Sequence, residues 1–90
     1  MDVEAFIETA PWRFAKSMPH IPHEYIVRGQ VPDDQFEAFV QHIEDTGYKA
    51  RWGRYHHTYL NVGDHKYWAM PGRGARRGAP IIINRAAVDL

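Results

Sequence analysis

The hydrophobic pattern of this chain changes period once, at Tyr48, and that change restricts the fold more than any other feature of the sequence. Just before it, Phe36, Phe39, Val40 and Ile43 recur at helical spacing and form one apolar stripe. Pro32-Asp33-Asp34 supplies the start of this helix, with acids in the first turn where the macrodipole favours them, and Gly47 is a natural stop. From Tyr48 onward the period is two. Tyr48-Lys49-Ala50-Arg51-Trp52-Gly53-Arg54 alternates aromatic or small residues with cations. His57-Thr58-Tyr59-Leu60-Asn61-Val62 and His65-Lys66-Tyr67-Trp68-Ala69-Met70 flank Gly63-Asp64, the pattern of a hairpin. Ile81-Ile82-Ile83-Asn84 reads as a last strand.

Upstream, Val3, Phe6, Ile7 and Ala10 predict a first helix with Asp2 as its N-cap. Pro11 ends or kinks it, or opens a second short helix from Trp12 to Ser17. Pro19 and Pro22 favour an extended path, and Glu24 to Arg28 reads as a strand with apolar residues on both faces. The order is therefore helix, strand, helix, four strands, within one domain spanning 1–90. Without βαβ alternation this is an α+β fold. The expectation is a mostly antiparallel sheet of about five strands with helices packed on one face.

Alternation then sorts the strand residues into two faces. Leu60, Val62, Trp68 and Met70, with Tyr48, Ala50 and Trp52, are expected beneath the helix. The open face would then carry Lys49, Arg51, His57, Tyr59, Asn61, His65 and Tyr67. Cations, imidazoles and phenols on one face suit phosphates and bases, because cations neutralise phosphate and rings offer stacking platforms. A solvated sheet face has the same composition for a simpler reason, since these residue types suit β structure.

Charge adds a second asymmetry. Residues 1–47 hold nine acids against Arg13, Lys16 and Arg28, a balance of −6. Residues 48–90 hold eight cations against Asp64 and Asp89, a balance of +6. Either the basic half meets an anion or the two halves neutralise each other. Within the basic half, the segment Pro71 to Pro80 carries Arg73, Arg76 and Arg77 among three glycines and no acid. Such a segment would close over an anionic ligand with guanidinium forks, or act as a solubilising turn. It is not a Walker loop, since no Gly-Lys-Ser/Thr follows.

Cysteine is absent, which excludes disulfides, thiolate catalysis, iron–sulfur clusters and Cys-based zinc sites. Six histidines invite a metal reading, with His20 and His23 around Pro22 and Glu24 as the one nearby carboxylate. No His-Glu-x-x-His motif accompanies them, so no metal and no cofactor is expected. The acidic start Met1-Asp2-Val3-Glu4 is unlike a signal peptide, and no apolar run reaches the ~20 residues of a membrane span. A cytoplasmic protein without a membrane partner is the expectation.

His56-His57-Thr58 places His56 and Thr58 in the His-x-Thr pattern of two-histidine phosphodiesterases, but that family needs two such motifs and no second one is present. A stronger resemblance runs from Trp12 to Ala86. The segment Trp12-Arg13-Phe14-Ala15-Lys16-Ser17-Met18-Pro19-His20-Ile21-Pro22-His23-Glu24-Tyr25, with Tyr67-Trp68-Ala69-Met70 and Ile82-Ile83-Asn84-Arg85-Ala86, resembles a group of small uncharacterised bacterial and phage proteins. The resemblance brings no activity with it, but it points to Lys16, His23 and Asn84 as doing more than packing.

Three functions compete. The first is a non-catalytic binding protein that presents the basic, aromatic face and the Arg/Gly segment to nucleic acid or a phosphorylated ligand. The second is a metal-independent nuclease or phosphodiesterase using His57, His65 and Lys49 as general acid and base. The third is an interaction module forming a homo-oligomer through its acidic helices and basic sheet.

Overall fold

The computed structural model describes residues 2–16, 22–52, 55–71 and 80–87. Helix α1 (Val3–Thr9) starts where expected: the Asp2 carboxylate accepts from the amides of Glu4 at 3.1 Å and Ala5 at 3.3 Å. Pro11 stops it. Beyond Pro11 the chain forms no second helix but a short strand, β1 (Arg13–Lys16). It pairs antiparallel with β2 (Pro22–Val27), Phe14 opposite Glu24 and Lys16 opposite Pro22. A 3-10 turn at Arg28–Gln30 then leads into α2 (Asp33–Thr46), whose buried residues are Phe36, Phe39, Val40 and Ile43.

Gly47 ends α2 for a steric reason. A β-carbon there would collide with the carbonyl oxygens of Ile43 and Tyr59, so the chain passes from α2 into the sheet only with hydrogen at this position. Four more strands complete the chain: β3 (Tyr48–Trp52), β4 (Tyr55–Val62), β5 (His65–Pro71) and β6 (Pro80–Ala87). Gly63, at φ 57°, allows the tight β4–β5 turn.

The sheet has six strands in the order β1-β2-β6-β5-β4-β3, antiparallel throughout. β6, last in sequence, is thus inserted at the centre, between β2 and β5. The additional strand over the expected five is β1, an edge strand whose Arg13, Phe14 and Lys16 are all exposed and so show no alternation.

Both helices pack on one face. Phe6 of α1 stacks on Phe39 of α2 with ring centroids 4.9 Å apart, and Phe39 meets Tyr67 of β5 edge-on at 5.6 Å. Ile26, Ile83 and Ala69 complete the buried floor, with Leu60 and Val62 partly buried at its margin.

Tyr67, then, belongs to the core, which corrects the expected face assignment. The two-residue turn pairs Val62 with His65 and Leu60 with Tyr67, so Tyr67 and Ala69 share the face of Leu60, whereas Trp68 and Met70 face the other way. The same correction applies to β3. Tyr48 pairs with Tyr59 and Ala50 with His57, so these lie on the uncovered face, while Lys49 and Arg51 are register partners of Thr58 and His56 on the helix side. The side chain of Trp52 lies outside the described residues.

Candidate functional site

The face opposite the helices is built from every strand of the sheet. Register places Tyr48 of β3, His57 and Tyr59 of β4, Lys66 and Trp68 of β5, and His23 and Tyr25 of β2 on it. None of these is covered by a described helix. Their rings form a continuous row. Tyr48 stacks on Tyr59 at 5.8 Å between centroids, His57 meets Tyr59 edge-on at 6.0 Å, and Tyr59 leans on Trp68 at 6.3 Å. Trp68 in turn lies 6.0 Å from His23, which is 6.4 Å from Tyr25.

The last link crosses β6. Strands β2 and β5 are separated by β6, a distance of roughly 10 Å between backbones. Their rings can approach only because β6 presents small side chains, Asn84 and Ala86, beneath them. Asn84 stands opposite both Tyr25 and Trp68 and is only 3% exposed, although neither described helix lies on its face.

The electrostatics of this face are one-sided. Lys66 lies over the Tyr59 ring at 5.5 Å, and Arg13 at the β1 edge is exposed on the same side by its pairing with Tyr25. Among the described residues, no carboxylate occupies a strand position on this face. Burial pulls the His57 imidazole below its ordinary value of 6.5, so it is neutral at pH 7. Burial, and secondarily the neighbouring Tyr48, pushes the Tyr59 phenol above 10. Both shifts favour the uncharged forms of His57 and Tyr59.

Of the residues expected to carry function, His57 and Tyr59 lie together on this face, and His23 from β2 and Asn84 from β6 join them. Lys49, Arg51, His65 and Tyr67 do not. Lys49 and Arg51 are exposed on β3 with helix-side register, and His65 faces the helix side at the start of β5. His57 and His65 are therefore on opposite faces of the sheet and cannot share one phosphate, which removes the acid–base pair expected for a nuclease. Thr58 of the His-x-Thr tripeptide is 7% exposed beneath α2, on the face away from the ring row. Lys16 is exposed on edge strand β1, opposite Pro22 and on the helix-side register. Arg73, Arg76 and Arg77 lie outside the described residues, as does His20. The strand residues bounding the arginine segment, Pro71 and Pro80, pair with each other at one end of β5 and β6.

Tyr67 has a structural task instead. Arg85 makes a two-pronged ion pair with Glu24, 3.3 Å from Nε and 3.2 Å from Nη2, and its guanidinium lies 4.1 Å from the centre of the Trp12 ring. The Tyr67 phenol is hydrogen-bonded to Arg85, yet burial outweighs that contact and pushes the phenol above 10. This cluster joins the linker after α1 to the sheet and ties the acidic half of the chain to the basic half. Sequence reasoning missed Trp68, Tyr48, Tyr25 and Lys66 as members of the open face. The signal that finds Trp68 and Lys66 is the two-residue turn, which fixes the register of β5 against β4, whereas Tyr48 and Tyr25 are placed by pairings of β3 with β4 and β2 with β6.

Among the described residues, no group of three or more His, Asp or Glu side chains is placed to hold a metal ion. No helix among them is long and apolar enough to cross a membrane. No family model, curated protein or solved structure matches the chain. Function must be read from the face itself.

Proposed function

We propose that the protein binds single-stranded nucleic acid, without cleaving it, on the uncovered face of its sheet. The observation that supports this most is the row of rings from Tyr48 through Tyr59 and Trp68 to His23, on a face without a carboxylate among the described residues. The row crosses from β3 to β2, four strand spacings or about 19 Å, which is longer than one nucleotide and suits several successive bases. Each base offers a π-face to such a row, and each phosphate a charge for Lys66 or Arg13. A duplex, whose bases are already stacked on one another, gains little from it.

The experiment is an anisotropy titration of labelled single strands of about a dozen nucleotides against the matching duplex, over a series of salt concentrations. The single strand binds more tightly. With only Lys66 and Arg13 engaging phosphates, the log–log salt slope is about −1.4, at roughly 0.7 per phosphate on single strands. Engagement of Arg73, Arg76 and Arg77 as well steepens it to about −3.5. Absence of single-strand binding at about 50 mM salt, where electrostatic attraction is strong, contradicts the proposal.

A further inference from the structure

We propose that a second copy of this chain packs on the uncovered face, sheet against sheet, and that this pairing competes with a nucleic-acid strand for the face. The competition rests on the single-strand reading; the pairing does not.

Ring stacking accounts for one line of that face. Register lays Tyr48, Tyr59, Trp68, Asn84, Tyr25 and Arg13 across all six strands, one residue from each. The next line is different in kind. Ala50 pairs with His57, Met70 with Ile82, and Ile82 with Val27, while His57 and Met70 flank the paired Thr58 and Ala69. Apart from His57 this line is apolar and without rings, and every member is partly exposed, with no described element over it. Such side chains neither neutralise a phosphate nor stack on a base as a ring does. A nucleic-acid strand alone therefore does not explain them.

An apolar line needs an apolar cover. The outer side of α2 does not supply one, since Asp33, Asp34, Glu37, Glu44 and Asp45 are all exposed there. The line holds no lysine or arginine, so it would desolvate those carboxylates unpaired. Pairing two copies face to face about a two-fold axis covers the line with itself.

The strand order suits such an axis. In β1-β2-β6-β5-β4-β3 the centre of the sheet lies between β6 and β5. An axis there, parallel to the strands, sets β5 over the partner's β6, with the two sheets about 10 Å apart. To this face β5 contributes Lys66, Trp68 and Met70, and β6 contributes Ala86, Asn84 and Ile82, each opposite the other in register. Lys66 and Trp68 are thus set over the smaller Ala86 and Asn84 of the partner, an arrangement that lets two such faces interlock. Lys66 meets no lysine, and Arg13 stays at the sheet edge, so like charges do not collide at the centre.

Size makes the pair reversible. The ring line, the apolar line and the line of Lys66 and Ala86 cover about 24 Å by 20 Å, roughly 1,000 Å² for two copies before side-chain relief is counted. That is the low end of specific interfaces, where contacts are transient. A transient contact is what exchange with a strand requires.

The test is sedimentation equilibrium of the free protein across the micromolar to millimolar range, repeated with a saturating single strand too short for two chains, roughly six nucleotides. The free protein is expected to pass from one chain to two as concentration rises, and the strand to return it to one. Ile82→Lys and Met70→Lys each bury an unpaired ammonium group in the paired state. Each should raise the concentration needed for pairing by at least about tenfold, through repulsion and lost solvation. Strand affinity stays at or above the wild-type value, because each adds a cation beside the ring line. A melt of each variant separates lost pairing from lost folding. A wild type that remains one chain throughout overturns the pairing and leaves the single-strand reading standing. Pairing that survives both substitutions places the contact elsewhere and overturns it equally. A pair that holds together on the saturating strand overturns the competition. Pairing that both substitutions break, in a protein that binds no strand, supports the paired sheets and overturns the single-strand reading.

Discussion

The two faces of this sheet are made from the same strands and share aromatic residues, yet their surroundings differ. On the covered face Tyr67 is 1% exposed, touches Phe39, and hydrogen-bonds Arg85, itself paired with Glu24. On the other face Tyr59, one strand away, is half-buried among Tyr48, His57 and Trp68, with Lys66 above its ring. The covered aromatics satisfy one another and are closed in by helices. The uncovered ones stack on one another beside Lys66, and the Asn84 amide nitrogen on the same face is buried with no hydrogen-bond partner among the described residues. An aromatic residue in a strand therefore says little by itself; its register against the next strand decides whether it is core or contact surface.

The sharpest way to break this comparison is to remove a residue from the covered side. Phe39→Ala deletes a fully buried ring that joins Phe6 to Tyr67, and should cost about 3–5 kcal/mol. In a domain of this size that lowers the melting temperature by more than about 12 °C, at roughly 4–8 °C per kcal/mol. A melt close to wild type would show that α2 does not seal the core.

On the uncovered side the effect moves from stability to binding. Trp68→Ala should weaken single-strand binding by about 1–3 kcal/mol, the worth of one stacked base, with the larger loss in affinity rather than in the melt. A variant that loses stability as Phe39→Ala does, while binding as before, would place Trp68 in the core after all.

Tyr67→Phe sharpens the contrast because it changes one atom on the covered face. It removes the hydrogen bond to Arg85 and should cost about 1–2 kcal/mol of stability while leaving oligonucleotide affinity unchanged. Loss of affinity without loss of stability would return Tyr67 to the binding surface.

The smallest expected effect is that of pH. Burial lowers the folded pKa of His57 below its unfolded value near 6.5, so in the interval between the two the unfolded chain binds more protons. The stability contributed by the neutral ring is fully present above about pH 6.5 and is lost as pH falls through the folded value. A chemical melt at pH 7 and pH 5, repeated with His57→Gln, should show a smaller acid loss in the variant. An identical loss in both would mean that His57 is not desolvated on this face.

The helix α2 was legible because its signals agree. Phe36, Phe39, Val40 and Ile43 set the period, Asp33 and Asp34 mark the start, and Gly47 marks the end. The α+β class and the β4–β5 hairpin were legible too, from the switch of period and from Gly63-Asp64. The face of β5 was misread because Tyr67 and Trp68 are adjacent and both aromatic, so alternation alone assigns either one inward. Pairing across the two-residue turn settles it, since Val62 opposite His65 forces Leu60 opposite Tyr67. β1 was missed because an exposed edge strand of four residues buries no face, and only its partner β2 defines it. The position of Asn84 in the middle of the sheet was not readable at all. A polar residue after three isoleucines looks like the end of a strand, whereas β6 continues to Ala87 and is flanked by strands from both halves of the chain.

The most direct test of the central claim is a heteronuclear NMR titration with a single-stranded oligonucleotide, reading the two faces separately. Binding on the uncovered face predicts that the side-chain resonances of Tyr48, Tyr59, Trp68 and His23 move in proportion to occupancy, while those of Phe39, Ile43 and Tyr67 stay in place. Shifts concentrated on α2 and the covered side, or a spectrum unchanged at saturating oligonucleotide, would contradict the account.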